Sequence, residues 1–328
     1  MKVNLVAYKY KELSDNWNVV YHNIIGALKG LGLNINVSPH LKMEETPSGV
    51  TVGIEDNSDD VYIYNHTYPE DIQDKFFIGK TSIFVKPTGP TNKHFSVDTL
   101  GYGSRVSITY NKPNYENISY KRYWGNEVKQ IKNDKSHKWD GEFEINTPPL
   151  ICIPSNHVLI IGQMPGDTSV RQFSFGNHFE DIKRIVYLLD GKDPVVIKLH
   201  PFLEDRCNDE QWMPIKRQIA EWVIKGHTVL YGFENIHDIL PSTKVAILEN
   251  STAGIECLLH DVPMITFGCP EYRWVCKELR QIIDLNKFKN DLSWFNKELS
   301  RKFLVWYIRD YLCSNVESTK KRLKEILF

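Results

Sequence analysis

Four short clusters combine small residues with side chains suited to an anionic ligand. The first is Gly162-Gln163-Met164-Pro165-Gly166-Asp167-Thr168-Ser169. Its glycines and proline permit a tight turn that presents Asp167. A carboxylate there can act as a nucleophile, as a base, or as a helix N-cap, for which Asp is a common choice. The second is Lys198-Leu199-His200-Pro201, where an ammonium and an imidazole could neutralise a departing phosphate. A hydrogen-bonded loop histidine would read the same way. The third is Glu249-Asn250-Ser251-Thr252-Ala253-Gly254-Ile255-Glu256. Asn250 or Ser251 can cap a helix, and the small residues would let a ligand approach its free N–H groups. Glu256 could accept hydrogen bonds from a ribose or base, or simply complement the helix dipole. Phosphate binding and plain capping weigh equally on this motif. The fourth, Phe267-Gly268-Cys269-Pro270-Glu271-Tyr272-Arg273-Trp274, could close a pocket rim or be an ordinary Gly-Pro loop.

These clusters share a position: each follows an apolar run that reads as a strand. The runs are Val158–Ile161, Val195–Leu199, Val245–Leu248 and Pro263–Phe267, with a further strand at Thr228–Tyr231. Between them the spacing predicts helices at about 177–189, 211–225, 236–240 and 251–259. Such β-α alternation predicts a parallel sheet with helices on both faces, and ligands bind such sheets at the C-terminal ends of the strands. Neither a P-loop nor a Gly-x-Gly-x-x-Gly dinucleotide motif occurs. No cluster has metal-ligand spacing, and Asp59-Asp60 reads as a solvated pair.

The first half is less regular. Val3–Ala7, Asn34–Val37, Val61–Tyr64 and Thr81–Val85 read as strands, and Trp17–Leu31 as a helix ended by Gly30 and Gly32. The stretch Lys86-Pro87-Thr88-Gly89-Pro90 must be a loop. Residues 111–149 have weak periodicity, and Pro148-Pro149 precedes a change in composition. The expectation is therefore two domains, 1–150 and 151–328, with the last helices free to pack back on the first.

With 328 residues, 40 basic and 41 acidic, the net charge is −1, which disfavours a nucleic-acid partner. None of the six cysteines (Cys152, Cys207, Cys257, Cys269, Cys276, Cys313) forms a Cys-x-x-Cys pair, so reduced thiols in a cytoplasm fit better than zinc or disulfides. No signal peptide and no membrane-spanning run is expected. The stretch Arg301–Tyr311 mixes aromatic and basic residues. It could touch a membrane, but packing across the two domains is the preferred reading.

Taken in order, Gly162-Gln163…Asp167-Thr168-Ser169, Lys198-Leu199-His200-Pro201, Asn250 to Leu259, and Val262-Pro263…Phe267-Gly268 with Tyr272 resemble the capsule polysaccharide synthesis family. Its members include retaining β-Kdo transferases of bacterial capsule and lipopolysaccharide assembly. The resemblance runs over residues 158–275 and is looser around Lys86–Pro90 and Phe95–Gly103. It implies an α/β, GT-B-like fold of two Rossmann-type domains facing a central cleft. It implies CMP-β-Kdo as donor, no metal or other cofactor, a glycan or lipid-linked glycan acceptor, and a place in the cytoplasm, at most peripheral at the inner membrane face. It implies Asp167 as nucleophile. Gln163, Lys198, His200, Asn250, Ser251, Thr252, Gly254 and Glu256 become the donor site. Many members carry a Glu near the loop where this chain has Lys86–Pro90, so Asp98 and His94 are the substitute bases. The rival readings are a transferase using a CMP-sialic-acid-like or UDP sugar, and a catalytically silent nucleotide- or glycan-binding subunit.

Overall fold

The computed structural model describes residues 2–6, 15–38, 43–46, 49–52, 61–65, 81–138, 140 and 153–328. Asp59-Asp60, Pro148-Pro149 and Cys152 lie outside the described residues. The chain forms two compact units, one of Met1–Pro113, Ser136–Glu142 and Trp306–Phe328, the other of Asn114–Lys135 and Phe143–Val305. Composition suggests one boundary at residue 150, whereas the contacts divide the chain at several points. Aromatic anchors explain why 114–135 joins the second unit. The Tyr115 ring meets Phe303 edge-on at 5.2 Å, and the Arg301 guanidinium lies 4.6 Å over the Trp124 ring.

In the first unit, β1 (Lys2–Val6), β2 (Asn34–Ser38), β5 (Val61–Asn65), β6 (Thr81–Pro87) and β7 (Phe95–Asp98) form a sheet of order β2-β1-β5-β6-β7. All pairs are parallel except β6–β7. A separate antiparallel pair comprises β3 (Met43–Thr46) and β4 (Gly49–Val52). The helix Asp15–Gly30 buries Val20, Ile24, Ala27 and Leu28 against the sheet. Those positions recur at helical spacing, which is why this segment was legible as a helix. The helix Val316–Leu327 packs beside it where Gly26 leaves room: a Cβ there would lie 3.0 Å from Val316 Cγ2.

The second unit carries β8 (His157–Ile161), β9 (Val195–Lys198), β10 (Thr228–Leu230), β11 (Thr243–Leu248), β12 (Met264–Thr266) and β13 (Lys277–Glu278). They are parallel throughout, in the order β10-β9-β8-β11-β12-β13. Counted within this unit the order is 3-2-1-4-5-6, the doubly wound arrangement with a switch point between its first and fourth strands, here β8 and β11. Every residue of β8 is buried, as a central strand covered on both faces requires. The core gathers Val158, Ile160, Val195, Ile197, Val245 and Ile247 from the sheet with Ile182, Ile185, Val186 and Leu189 from the helix His178–Leu189.

In the stretch Arg301–Tyr311, Phe303, Leu304, Tyr307, Ile308 and Tyr311 are all buried, so its apolar side chains face protein. No helix among the described residues is long and apolar enough to cross a membrane.

Candidate active site

The loops of the second unit that hold the four clusters leave the same edge of the sheet, at the C-terminal ends of β8, β9, β11 and β12. After β8 the chain turns through Gly162, where a Cβ would press on Leu199. It then runs to Asp167, which is exposed and caps the helix Thr168–Phe173. Its Oδ1 accepts from Ser169 N and Ser169 Oγ, each at 2.8 Å. The capping role among the alternatives is therefore realised, on a carboxylate that stays open to solvent.

At the switch point the loops after β8 and β11 are bonded directly. Asn250 N donates to Gln163 Oε1 at 2.8 Å. Asn250 Nδ2 donates to Ser169 O and to Ser174 Oγ, both at 3.2 Å. Its amide lies so close to Gly268 that any Cβ there would overlap it, so Gly268 in the loop after β12 is required by close approach. Gln163 and Asn250 are each 8% exposed, which makes them fasteners between loops rather than open ligand contacts.

Further into the third cluster, Ser251 Oγ accepts from Ala253 N at 3.3 Å and the short helix Gly254–Leu259 begins. Gly254 permits Tyr272 to lie against this turn, since a Cβ would overlap the Tyr272 ring. The Tyr272 hydroxyl donates to Ser251 O at 2.6 Å. Burial, and after it the neighbouring Cys276, hold that phenol well above its ordinary pKa, so it stays a donor. Ser251 and Thr252 are half-buried, whereas Glu256 is 1% exposed. Its carboxylate is enclosed by protein and does not face a ligand arriving through solvent.

The second cluster divides its duties. Lys198 Nζ donates to Gly232 O at 2.6 Å and Leu199 O at 3.2 Å, and pairs with Glu234 Oε2 at 3.1 Å. Three donors meet three acceptors, so the ammonium ties the loop after β9 to the loop after β10. Burial lowers its pKa, against which the Glu234 charge acts. His200, half-buried, accepts from Phe202 N through Nδ1 at 3.2 Å. The neutral ring is thereby the tautomer whose Nε2 donates. Phe202 packs on His200 and on Phe233, with ring centroids at 5.7 and 5.2 Å.

His94 and Asp98 belong to the first unit, at opposite ends of β7. Because β7 runs antiparallel to β6, Phe95 sits opposite Pro87 and Asp98 opposite Phe84, separating them by about 13 Å along the strand. Asp98 is fully buried. It accepts from Leu100 N (2.9 Å), Ser107 N (3.0 Å), Ser107 Oγ (2.6 Å) and the Tyr311 hydroxyl (3.1 Å), with Arg322 Nη2 3.8 Å away. A carboxylate so enclosed anchors its loop, and proton abstraction from an arriving acceptor is not open to it. His94 Nδ1 lies 2.7 Å from Thr91 Oγ1, and burial, with Lys93 second, lowers its pKa to about 4.

Four residues of this network went unremarked in the sequence. His178 and Asp181 occupy the same helical stripe as Ile182, Ile185, Val186 and Leu189, and two polar residues on an apolar stripe were the available signal. Ser174 and Glu234 had none, because only the folded loops bring them to their partners.

Comparison with known proteins agrees with this architecture. Residues 97–295 match the family described as Capsule polysaccharide biosynthesis protein. Over 126 residues the chain is 29% identical to Capsule polysaccharide export protein KpsS of Escherichia coli, a match to 35% of this chain and 31% of that protein. Among solved structures it resembles Thermosulfurimonas dismutans KpsC, beta Kdo 2,4 transferase, with TM-score 0.60 and 15% identity over 98% of both chains. It also resembles the KpsC beta Kdo 2,7 transferase of that organism, with TM-score 0.51 and 13% identity over 99% of this chain and 98% of the other. At these identities the likeness is one of fold, which is GT-B-like.

Proposed function

The chain belongs to the capsule polysaccharide biosynthesis protein family, and from that premise we propose that it is a glycosyltransferase moving Kdo from CMP-β-Kdo to a glycan acceptor. The observation that carries this reading is the switch point. There the Gln163 loop, which presents Asp167, is bonded to the Asn250-Ser251-Thr252 loop, at the edge where doubly wound sheets take nucleotides. The likeness to KpsC β-Kdo transferases over nearly the whole chain supports the choice of donor.

In this proposal transfer proceeds with retention in two displacements. An Asp167 oxygen attacks the anomeric carbon while the bond from that carbon to the phosphate oxygen breaks, leaving a glycosyl ester and free CMP. The acceptor hydroxyl then attacks the same carbon, regenerates the Asp167 carboxylate and gives up its proton to solvent water. The His200 Nε2–H and the hydroxyls of Ser251 and Thr252 receive the charge that develops on the leaving phosphate. Lys198 acts from behind them, holding the loop of His200 in register. The acceptor is a glycan of capsule assembly, in keeping with the family.

The test is to offer the purified protein CMP-β-Kdo and, separately, UDP sugars, with a panel of glycan acceptors. The proposal expects CMP release, a β-linked Kdo product by NMR, and thermal stabilisation by CMP but not UDP. Turnover of a UDP sugar with no response to CMP would contradict it.

A further inference from the structure

A run of hydrogen bonds lies beneath the switch point, and one charge contact closes it into a ring. Asn250 N donates to Gln163 Oε1 (2.8 Å), and Gln163 N donates to His178 Nε2 (2.7 Å). His178 Nδ1 lies 2.9 Å from Glu249 Oε2. Ser174 Oγ donates to that same oxygen, and Asn250 Nδ2 donates to Ser174 Oγ (3.2 Å). Gln163, His178, Glu249 and Asn250 are each at most 8% exposed.

The backbone and amide donors set the direction of the bonds they make. A backbone N–H makes His178 Nε2 an acceptor, and Nδ1 lies at ion-pair distance from Glu249 without an aligned hydrogen bond. The single Ser174 hydrogen goes to Glu249, leaving the Ser174 oxygen to accept from Asn250. Ser174 Oγ and His178 Nδ1 thus converge on Glu249 Oε2. Asp181, close by, has its carboxyl pushed up by burial first and by the Glu249 charge second. The ring also reaches the exposed carboxylate: Asn250 Nδ2 holds Ser169 O, and Ser169 holds Asp167 through two bonds.

We infer that His178 and Glu249 are positioning residues, which fix Gln163 and Asn250 and through them the loop that sets Asp167 for transfer. The inference rests on the proposed function for the word transfer, but not for the positioning itself. His178 touches no reacting atom. It accepts the Gln163 N–H and lies beside the Glu249 carboxylate. Losing it lets the Gln163–Ser169 loop drift without dismantling the sheet beneath. A displacement near 1 Å of a reacting group costs on the order of 100-fold in rate, whereas the proposed phosphate contacts Ser251, Thr252 and His200 follow β11 and β9, outside the Gln163–Ser169 loop.

The experiment compares His178→Ala, His178→Gln and His178→Asn in the full chain. It measures kcat and donor KM together with amide hydrogen exchange over residues 162–174. His178→Ala should lower kcat roughly 100-fold and change the donor KM less than about threefold. Exchange should quicken in 162–174 while β8 and β11 stay protected. A glutamine places its amide oxygen near the Nε2 position and can accept from Gln163, so His178→Gln should recover most of the loss. An asparagine reaches only the Nδ1 position, so His178→Asn should recover little. If the alanine variant does not fold, the glutamine–asparagine contrast carries the test alone. Equal kcat in those two variants, or wild-type kcat in the alanine variant, would overturn the inference. If the wild-type protein transfers no Kdo, the proposed function fails, and exchange still decides the positioning. Selective loosening of 162–174 supports it, and unchanged exchange there overturns it.

Discussion

Two aspartates stand at the edges of two sheets, and they have opposite surroundings. Asp98, in the first unit, is fully buried and takes hydrogen bonds from two backbone amides and two hydroxyls. Asp167, in the second, is exposed and holds Ser169 through one oxygen. The comparison teaches that residue type does not assign a carboxylate its duty. Enclosure by donors converts a potential base into an anchor, because each bond occupies an oxygen and leaves no room for a reacting proton. An exposed capping aspartate keeps an oxygen surface a substrate can reach.

Substitution by asparagine at both positions gives the sharpest break. Asparagine caps a helix about as well as aspartate but is no nucleophile. Asp167→Asn should therefore lower kcat by about 1,000-fold or more with Tm within about 1 °C of wild type. Asp98→Asn should instead destabilise the fold by about 3 kcal/mol, since an NH₂ group would face donors. Urea denaturation reads this directly, and an unchanged midpoint would erase the contrast.

A second prediction concerns the loop after β11. Gly254→Ala forces the Tyr272 ring away and breaks its bond to Ser251 O. We expect CMP affinity to fall about tenfold by calorimetry, with a stability loss of about 1–3 kcal/mol from the displaced ring and its unmet hydroxyl.

A third effect is spread over both units. Burial, ahead of every other cause, lowers the pKa of His94 to about 4 and of His260 to about 3, and lowers His157 and His227 as well. The unfolded chain protonates these rings near pH 6.5 and the folded chain does so only at lower pH. Stability should therefore be level above about pH 7 and fall as pH drops from about 6.5 towards 4, by at most about 1.4 kcal/mol per unit for each ring. Asp181 acts in the opposite sense, because its raised pKa favours the folded state at low pH. Denaturation midpoints at pH 7.5, 6 and 5 would check the balance. The smallest effect should come from Tyr187, 79% exposed: Tyr187→Ser should change stability by less than about 0.5 kcal/mol.

Much of the second unit was legible because its strands are continuous apolar runs and its helices keep clean periodicity. The strands β8, β9, β11 and β12 fall within a residue or two of where the runs place them. The four clusters were legible for a topological reason: a parallel sheet must put every β-to-α loop on one edge. What the sequence concealed depends on pairing at a distance. Nothing local marks Ser174 as the partner of Glu249 or Glu234 as the partner of Lys198. The four residues of β7, Phe95–Asp98, alternate apolar and polar over too short a run to mark a strand, and without its direction the opposed positions of His94 and Asp98 could not be foreseen. The segment Lys121–Asn133 hid its helical character behind a π-helical turn at Trp124–Val128 and aromatic side chains that serve as anchors. Asp181, read on its own, would pass as a helix-start acid complementing the dipole, and only the nearby Glu249 charge shows it to be part of a buried acidic pair.

The most direct test of the account is intact-protein mass spectrometry of the chain mixed with freshly generated CMP-β-Kdo, beside Asp167→Asn. The account predicts a mass gain of one Kdo residue that maps to Asp167, is absent from the variant, and disappears when acceptor is added. Continued formation of β-linked product by the Asp167→Asn protein at wild-type rate would contradict it.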